Sequence, residues 1–336
     1  MEKNNFDLIR FVFAFTVLLR HLIELTEENR ITCLQNYFDS YTSVTGFFII
    51  SGYLITKSYK RTNSLPSYLQ KRFRRILPAY ILFVFLASIF LSLLSNLSLS
   101  SYFTNRQLYF YFLSNLFFLN FLQPTLPGVF VSNPQPAVNG ALWTIKVELL
   151  FYLSLPVLLY YIDRCKSYNR IIILAFLYWL SLIYKYYLSN SGNDFLLFLS
   201  RQTPGFYCYF VCGISFYYYR NFYLKKIRTY LLILSISIFS MEYFMNIEVL
   251  RPICFTVILI YVAYNFPVFN NFGKYGDFSY GIYIYHFPII QVFIHYNMLK
   301  ENKLYPGMAL LIFTVLIVAI LSWNFIEKPW LKRKTN

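Results

Sequence analysis

The sequence predicts an all-α fold, a polytopic membrane helix bundle of about ten transmembrane helices, and two observations carry that prediction. Of 336 residues, 58% are apolar and only 13% charged, and mean hydropathy is positive, a balance that soluble domains with ordinary surfaces do not have. Ten apolar segments also approach the ~20 residues that a bilayer crossing needs: 6–25, 41–58, 76–95, 141–162, 171–188, 202–219, 229–245, 249–266, 278–298 and 307–326. An eleventh, 107–122, is decided by charge. Lys and Arg collect on the cytoplasmic side, and the basic runs Lys57 to Arg75, Arg164 to Arg170, Arg220 to Arg228 and Lys328 to Lys334 share one side with the N-terminus only if 107–122 does not cross. The expectation is therefore ten crossings with both termini cytoplasmic, and an interfacial or re-entrant 107–122.

No repeat at a fixed period and no low-complexity linker interrupts this pattern, so residues 1–336 read as one membrane domain without an appended soluble domain. The first apolar run is too long for a signal peptide and lacks its small-residue cleavage site, so it is expected to stay in the protein. A net charge of +16 would suggest nucleic acid as the partner of a soluble protein. Here the basic residues flank apolar segments, where they set topology, and no nucleic-acid partner is expected. The 37 Phe and 33 Tyr are spread along every segment and mark codon bias, not a sugar-binding platform. Cysteines fall at 33, 165, 208, 212 and 254, an odd number mostly inside apolar segments, which argues against a disulfide framework. Cys208 and Cys212 stand one helical turn apart without a His or carboxylate pattern, so they read as small core residues and no metal site is expected.

The first crossing is the most informative. Asp7, Arg10, Arg20, His21 and Glu24 lie in one apolar stretch, and a charged side chain at mid-bilayer costs ~2.5–3.5 kcal/mol on insertion scales. Such residues face a protein interior or a water-filled site. At about 100° per residue, Asp7, Arg10, Ala14, Val17, His21 and Glu24 form one seam, with Arg10 about 16 Å from His21 along the axis. Arg20 falls off the seam and is expected to snorkel to the outer interface.

Four other segments carry polar groups at membrane depth. Ser51 and Gly52, in the second crossing, permit close helix approach. The run from Lys71 to Tyr80 contains Arg72 and Arg75, which suit either phosphate recognition or anchoring at an anionic surface, and Pro78 is expected in the first turn of the third crossing. The segment from Asn139 to Glu148 sets Lys146 and Glu148 in an apolar helix, as a functional pair or as a structural ion pair with another span. The segment from Gly276 to Pro288 brings His286, one of three histidines, into the ninth crossing.

In this order the segments resemble the acyltransferase-3 family of bacterial integral-membrane enzymes, which transfer acyl groups, usually acetyl, to cell-surface polysaccharides and related acceptors. The resemblance covers nearly the whole chain. It rests on Arg10 and His21 in a helix opening Phe-Asp-Leu-Ile-Arg, Phe47 to Thr56, Arg72 and Arg75 before Ile76-Leu-Pro-Ala-Tyr80, Asn139-Gly-Ala-Leu-Trp-Thr144 with Glu148 and Phe151-Tyr152, Ser279-Tyr280 with Tyr283 and His286-Phe-Pro288, and Ile326-Glu-Lys-Pro329. Lys146 beside the expected Glu is a departure, as is the absence of a C-terminal hydrolase-like domain. The acceptor is then met by the membrane part alone or with a partner protein.

The resemblance implies an O-acyltransferase of the bacterial inner membrane, with acetyl-CoA (acyl-CoA) as donor substrate, no tightly bound cofactor, and a surface glycan such as O-antigen, or its lipid-linked precursor, as acceptor. Its other expected partners are membrane lipids. It assigns catalysis to His21, as general base or acyl carrier, with Glu24 orienting it and Glu148 contributing a carboxylate. Arg10, Arg72 and Arg75 would hold the phosphates of coenzyme A, whose pantetheine arm would run along Ala14 and Val17. Further cavity candidates are Asp7, Ser51, Asn139, Trp143, Tyr280, Tyr283 and His286. The alternative of another class is a transporter or flippase for a lipid-linked sugar, which would more often show an internal repeat with paired broken helices.

Overall fold

A computed structural model describes residues 4–226 and 229–332; Arg228 and Lys334, which closed two of the basic runs, lie outside the described residues. Among the described residues the secondary structure is helical throughout, and ten helices reach 15 residues or more. These are α1 (Phe6–Thr26), α2 (Ser40–Lys60), α3 (Leu65–Phe90), α4 (Trp143–Arg164), α5 (Ser167–Ser189), α6 (Thr203–Tyr218), α7 (Thr229–Phe244), α8 (Arg251–Asn265), α9 (Ser279–His295) and α10 (Leu304–Ser322). Each overlaps one of the ten apolar segments.

By length and composition, four stretches are apolar enough to cross a membrane, Leu65–Leu94, Trp143–Arg164, Ser167–Ser189 and Glu301–Lys332, and a fifth if the pair Arg251–Asn265 and Pro267–Lys274, bent by 72°, counts as one. Helix α1 carries Asp7, Arg10, Arg20 and Glu24, and α6, α7 and α9 are 16, 16 and 17 residues long, so length and composition alone do not qualify them. The segment around 107–122 forms only the 11-residue helix Arg106–Leu116, about 16 Å long against a hydrocarbon core of ~30 Å.

One start differs from the sequence reading. Helix α3 begins at Leu65, not near residue 76, because the basic run Lys71–Arg75 is itself helical. Pro66 occupies its first turn, where the missing N–H costs little, and the Ser64 hydroxyl accepts from Ser67 N at 3.4 Å. Pro78 therefore lies inside the helix rather than at its start.

The helices group into two compact units. The first holds residues up to 9, 41–69 and 147–274. In it α5 packs on α6, α6 on α8 and α7 on α8. Helix α2 meets α6 at Gly52 and Gly213, where a Cβ on either would collide with backbone of the other helix, so the close approach expected at Gly52 is present. Pro156 cannot donate to the carbonyl of Tyr152, one turn back in α4, and the Tyr68 hydroxyl fills that vacancy at 3.0 Å. A half-buried polar knot joins Lys185 to Glu248, with Tyr41 and Tyr209 also donating to that carboxylate.

The second unit holds residues 10–40, 70–146 and 275 onward. Helix α9 packs on α10, and its residues Ser279–Pro288 are all buried. Pro288 leaves the carbonyl of Ile284 without its helical donor. Asn139 Nδ2 supplies the missing bond at 2.8 Å while its Oδ1 accepts from Ala141 N at 3.0 Å, so one amide both repairs α9 and shapes the approach to α4. The long connection before α4 is tied to the same helix: Asn133 Nδ2 donates to Gln291 Oε1 at 2.9 Å, and Gln291 Nε2 donates to the carbonyl of Ala137 at 2.7 Å.

Candidate active site

Helix α1 from Arg10 onward runs through the second unit, and its seam is real: Ala14 and Val17 are buried between Arg10 and His21. Each end of the seam meets α9 or the turn before it.

At the His21 end, His21 Nδ1 lies 2.8 Å from His286 Nε2, and the two rings lie edge to edge with centroids 5.1 Å apart and planes 7° from parallel. Phe287 closes the pair edge-on to His21. The protonation pattern follows from the third member. His286 Nδ1 sits 3.0 Å from the carbonyl of Ile282, and a carbonyl only accepts, so Nδ1 of His286 carries the proton. In the neutral pair its Nε2 is then an acceptor. His21 must donate to it from Nδ1, which leaves the lone pair of His21 on Nε2. A carbonyl on α9 thus fixes, through two rings, which atom of His21 can take a proton or attack an acyl carbon.

Glu24 does not share in this. Its exposed carboxylate accepts from Arg20 Nε at 2.6 Å, one turn along the surface, and Arg20 also donates to the carbonyl of Gln35 at 2.7 Å. The orienting partner that the sequence reading sought in Glu24 is His286, which the same reading named only as a cavity candidate.

At the Arg10 end, Arg10 Nη1 and Arg75 Nη2 both donate to Asp277 Oδ2, and Ser279 donates to Asp277 Oδ1 from its amide and its hydroxyl. Burial works to raise the Asp277 pKa, but the two guanidinium groups and the serine donors outweigh it and hold it at about 2. Arg75 also lies 3.7 Å from buried Glu327, in the π-helical turn Trp323–Glu327, and its guanidinium faces the rings of Tyr280 and Trp323. Two arginines and two carboxylates meet in this network. Arg75 is therefore built into the fold, whereas Arg72 lies half-buried one turn earlier on α3.

The remaining candidates divide between support and separate placement. Tyr283 OH lies 2.6 Å from Thr144 Oγ1 and donates to the carbonyl of Ala141 at 3.1 Å, and Tyr280 OH donates to the carbonyl of Ile76 at 2.9 Å. Trp143 is half-buried as the first residue of α4. The Lys146 ammonium sits over the Phe121 ring, 4.8 Å from its centroid. In the first unit, Glu148 accepts from Tyr152 OH at 2.6 Å and from Ser51 Oγ at 3.2 Å, so Ser51 serves as a hydrogen-bond donor there. Asp7 is exposed and its carboxylate packs against Gly273.

Comparison with known proteins decides what this constellation belongs to. The acyltransferase-3 family, described as an acyltransferase domain, matches residues 3–326. The chain belongs to that family. It is 30% identical to an O-acetyl transferase of Shigella phage Sf6, over all of this chain and 98% of that protein. It is 28% identical to nodulation protein 10 of Rhizobium leguminosarum bv. viciae, over all of this chain and 95% of the relative. A third relative, the peptidoglycan O-acetyltransferase OatA of Listeria monocytogenes, is 27% identical over 84% of this chain, which spans half of that longer protein. No solved structure matches. The family and the apolar helices together make this acyltransferase-3 protein a multi-pass membrane O-acyltransferase.

Proposed function

We propose that this acyltransferase-3 protein uses acetyl-CoA from the cytoplasm to acetylate a hydroxyl of a surface polysaccharide or its lipid-linked precursor, in the bacterial inner membrane. The whole chain acts as one domain with ten crossings and both termini cytoplasmic. The observation that carries the chemistry is the His21–His286–Ile282 chain, which directs one imidazole lone pair, on His21 Nε2, toward reaction. The acceptor hydroxyl gives its proton to that nitrogen as its oxygen attacks the thioester carbonyl. The C–S bond then breaks, and His21 returns the proton to the departing thiolate. The same lone pair also serves if His21 carries the acyl group between donor and acceptor. Asp277 holds Arg10 and Arg75 in place beside Arg72, and the three guanidinium groups meet the donor's phosphates. Glu148, bonded to Ser51 and Tyr152, contributes a carboxylate to acceptor handling.

The relatives' names support O-acetylation over sugar transport. The test is a comparison of surface-glycan acetylation, by mass and NMR, in cells with and without this protein. Loss of acetyl groups from one glycan position is expected on deletion, with return on complementation. An identical acetylation pattern in both strains would refute the surface-glycan acceptor.

A further inference from the structure

The first unit contains a cavity that the acyl-transfer chemistry does not use. Tyr53, Lys57 and Arg61 follow one another at intervals of four on the last turns of α2 and just beyond, which places all three on one face. Tyr217 and Tyr218 end α6, and Arg220 and Asn221 begin the short helix Arg220–Lys226. These seven residues line a cavity of about 320 Å³. Among the described residues its wall holds three cations, three phenols and one amide, with no carboxylate and no aliphatic side chain. Lys57 Nζ stands 3.4 Å from Tyr53 OH. Asp163 is engaged just outside, where it pairs with Lys60 and accepts from Tyr218 OH at 2.6 Å.

That lining is selective. Lys57, Arg61 and Arg220 bring three positive charges to the edge of one hollow, and their summed field attracts an anion to it. Guanidinium groups match phosphate oxygens with two parallel N–H bonds, and an ammonium adds a mobile point charge. Tyr217 adds a phenol on a rigid stem, while Tyr218 OH is engaged by Asp163 and Tyr53 OH lies 3.2 Å from Tyr264 OH. The lining is more polar than apolar, so a phosphate with its first polar substituents fits its chemistry and volume better than an acyl chain does. Basic residues at the end of an apolar helix also lie at the depth of lipid headgroups.

We infer that this tyrosine-walled basic cavity is a phosphate-binding site, filled by the phosphate of an anionic lipid headgroup or by a soluble phosphate. None of its seven residues is among those assigned to the donor. The test uses the full-length protein, with phosphatidylglycerol retention measured in phosphatidylcholine nanodiscs and inorganic pyrophosphate binding measured in detergent. Arg61→Gln and the double variant Lys57→Gln/Arg61→Gln should weaken one of the two by about tenfold or more, the loss expected for a charge-assisted contact. Phosphatidylcholine content and the thermal midpoint should not change. Loss of phosphatidylglycerol retention alone identifies the lipid source, and loss of pyrophosphate binding identifies the soluble one. Arg72→Ala should leave phosphatidylglycerol retention intact, and pyrophosphate binding that survives Arg72→Ala but not Arg61→Gln belongs to this site rather than to donor binding. If wild-type protein binds neither probe, or the double variant binds both as wild type does, the inference is overturned.

Discussion

The two ends of the α1 seam, about 16 Å apart, handle polarity in opposite ways. Around His21 no carboxylate among the described residues is hydrogen-bonded to the ring: two edge-to-edge imidazoles pass a single hydrogen-bond polarity from the Ile282 carbonyl outward. Around Arg10 charge is saturated, with Asp277 taking four donors and Arg75 reaching on to Glu327. The difference teaches which residues can react and which must stay. A ring held by a neutral partner can gain and lose a proton without breaking an ion pair, and a guanidinium shared with a buried carboxylate cannot leave without stranding it.

The largest expected effect breaks the reactive end. His21→Ala should lower acyl transfer by roughly 10² to 10⁴ or more, while the protein still inserts and binds acyl-CoA. His286→Ala should lose much of the same activity, and His286→Gln should keep more, because the glutamine oxygen can still accept from His21 Nδ1. Acceptor acetylation in a strain lacking the native copy, with membrane levels checked, measures all three. Equal activity of the Ala and Gln variants at His286 would remove its orienting role.

Next comes the charged end. Asp277→Asn leaves Arg10 and Arg75 without their shared counter-ion and should cost on the order of 3 kcal/mol of stability. The Asp277 carboxyl is depressed to about 2 in the fold, so its stabilising contribution is complete above the ordinary carboxylate range and is lost as pH falls toward 2. Thermal unfolding in detergent should therefore weaken with acid in wild type and show a flatter acid limb in Asp277→Asn.

Arg72→Ala should weaken acyl-CoA binding by roughly 1.5–3 kcal/mol with the thermal midpoint preserved, as a charge-assisted phosphate contact predicts. Arg75→Ala should instead lower both, since that side chain also holds Asp277. Calorimetry of coenzyme A binding distinguishes the two, and undiminished binding by Arg72→Ala would make that residue an anchor only. Smallest is Glu24→Gln: its exposed pair with Arg20 contributes ~0.2–1 kcal/mol, so activity should stay within a few-fold of wild type.

Much of this was legible in the chain, and the gaps have physical causes. The α1 seam could be read because helical periodicity is local, and its buried Ala14 and Val17 follow directly. The partners of its ends come from residues more than 260 positions away, beyond the reach of periodicity. Glu24 was the nearest carboxylate to His21 in sequence, but half-buried Arg20 one turn away is its simpler partner. Asp277 lay unremarked in the segment from Gly276 to Pro288, and the signal that it mattered was the need of a membrane-depth arginine for a counter-ion. Asn139 could have been paired with Pro288 in kind, since a proline inside an apolar helix demands a donor for the carbonyl it abandons, although which carbonyl needed the fold. The start of α3 was misread because a basic run beside an apolar segment looks like a loop until its helical cap at Ser64 is weighed.

The most direct test of the central claim is ¹⁵N NMR of histidine-labelled protein in detergent. Only three histidines are present, so removing His295 and His286 in turn assigns the resonances. The account predicts that neutral His21 carries its proton on Nδ1, with Nε2 bare, and that His286 is likewise protonated on Nδ1. A His21 protonated on Nε2 would contradict it, because the atom said to take the acceptor's proton would already hold one.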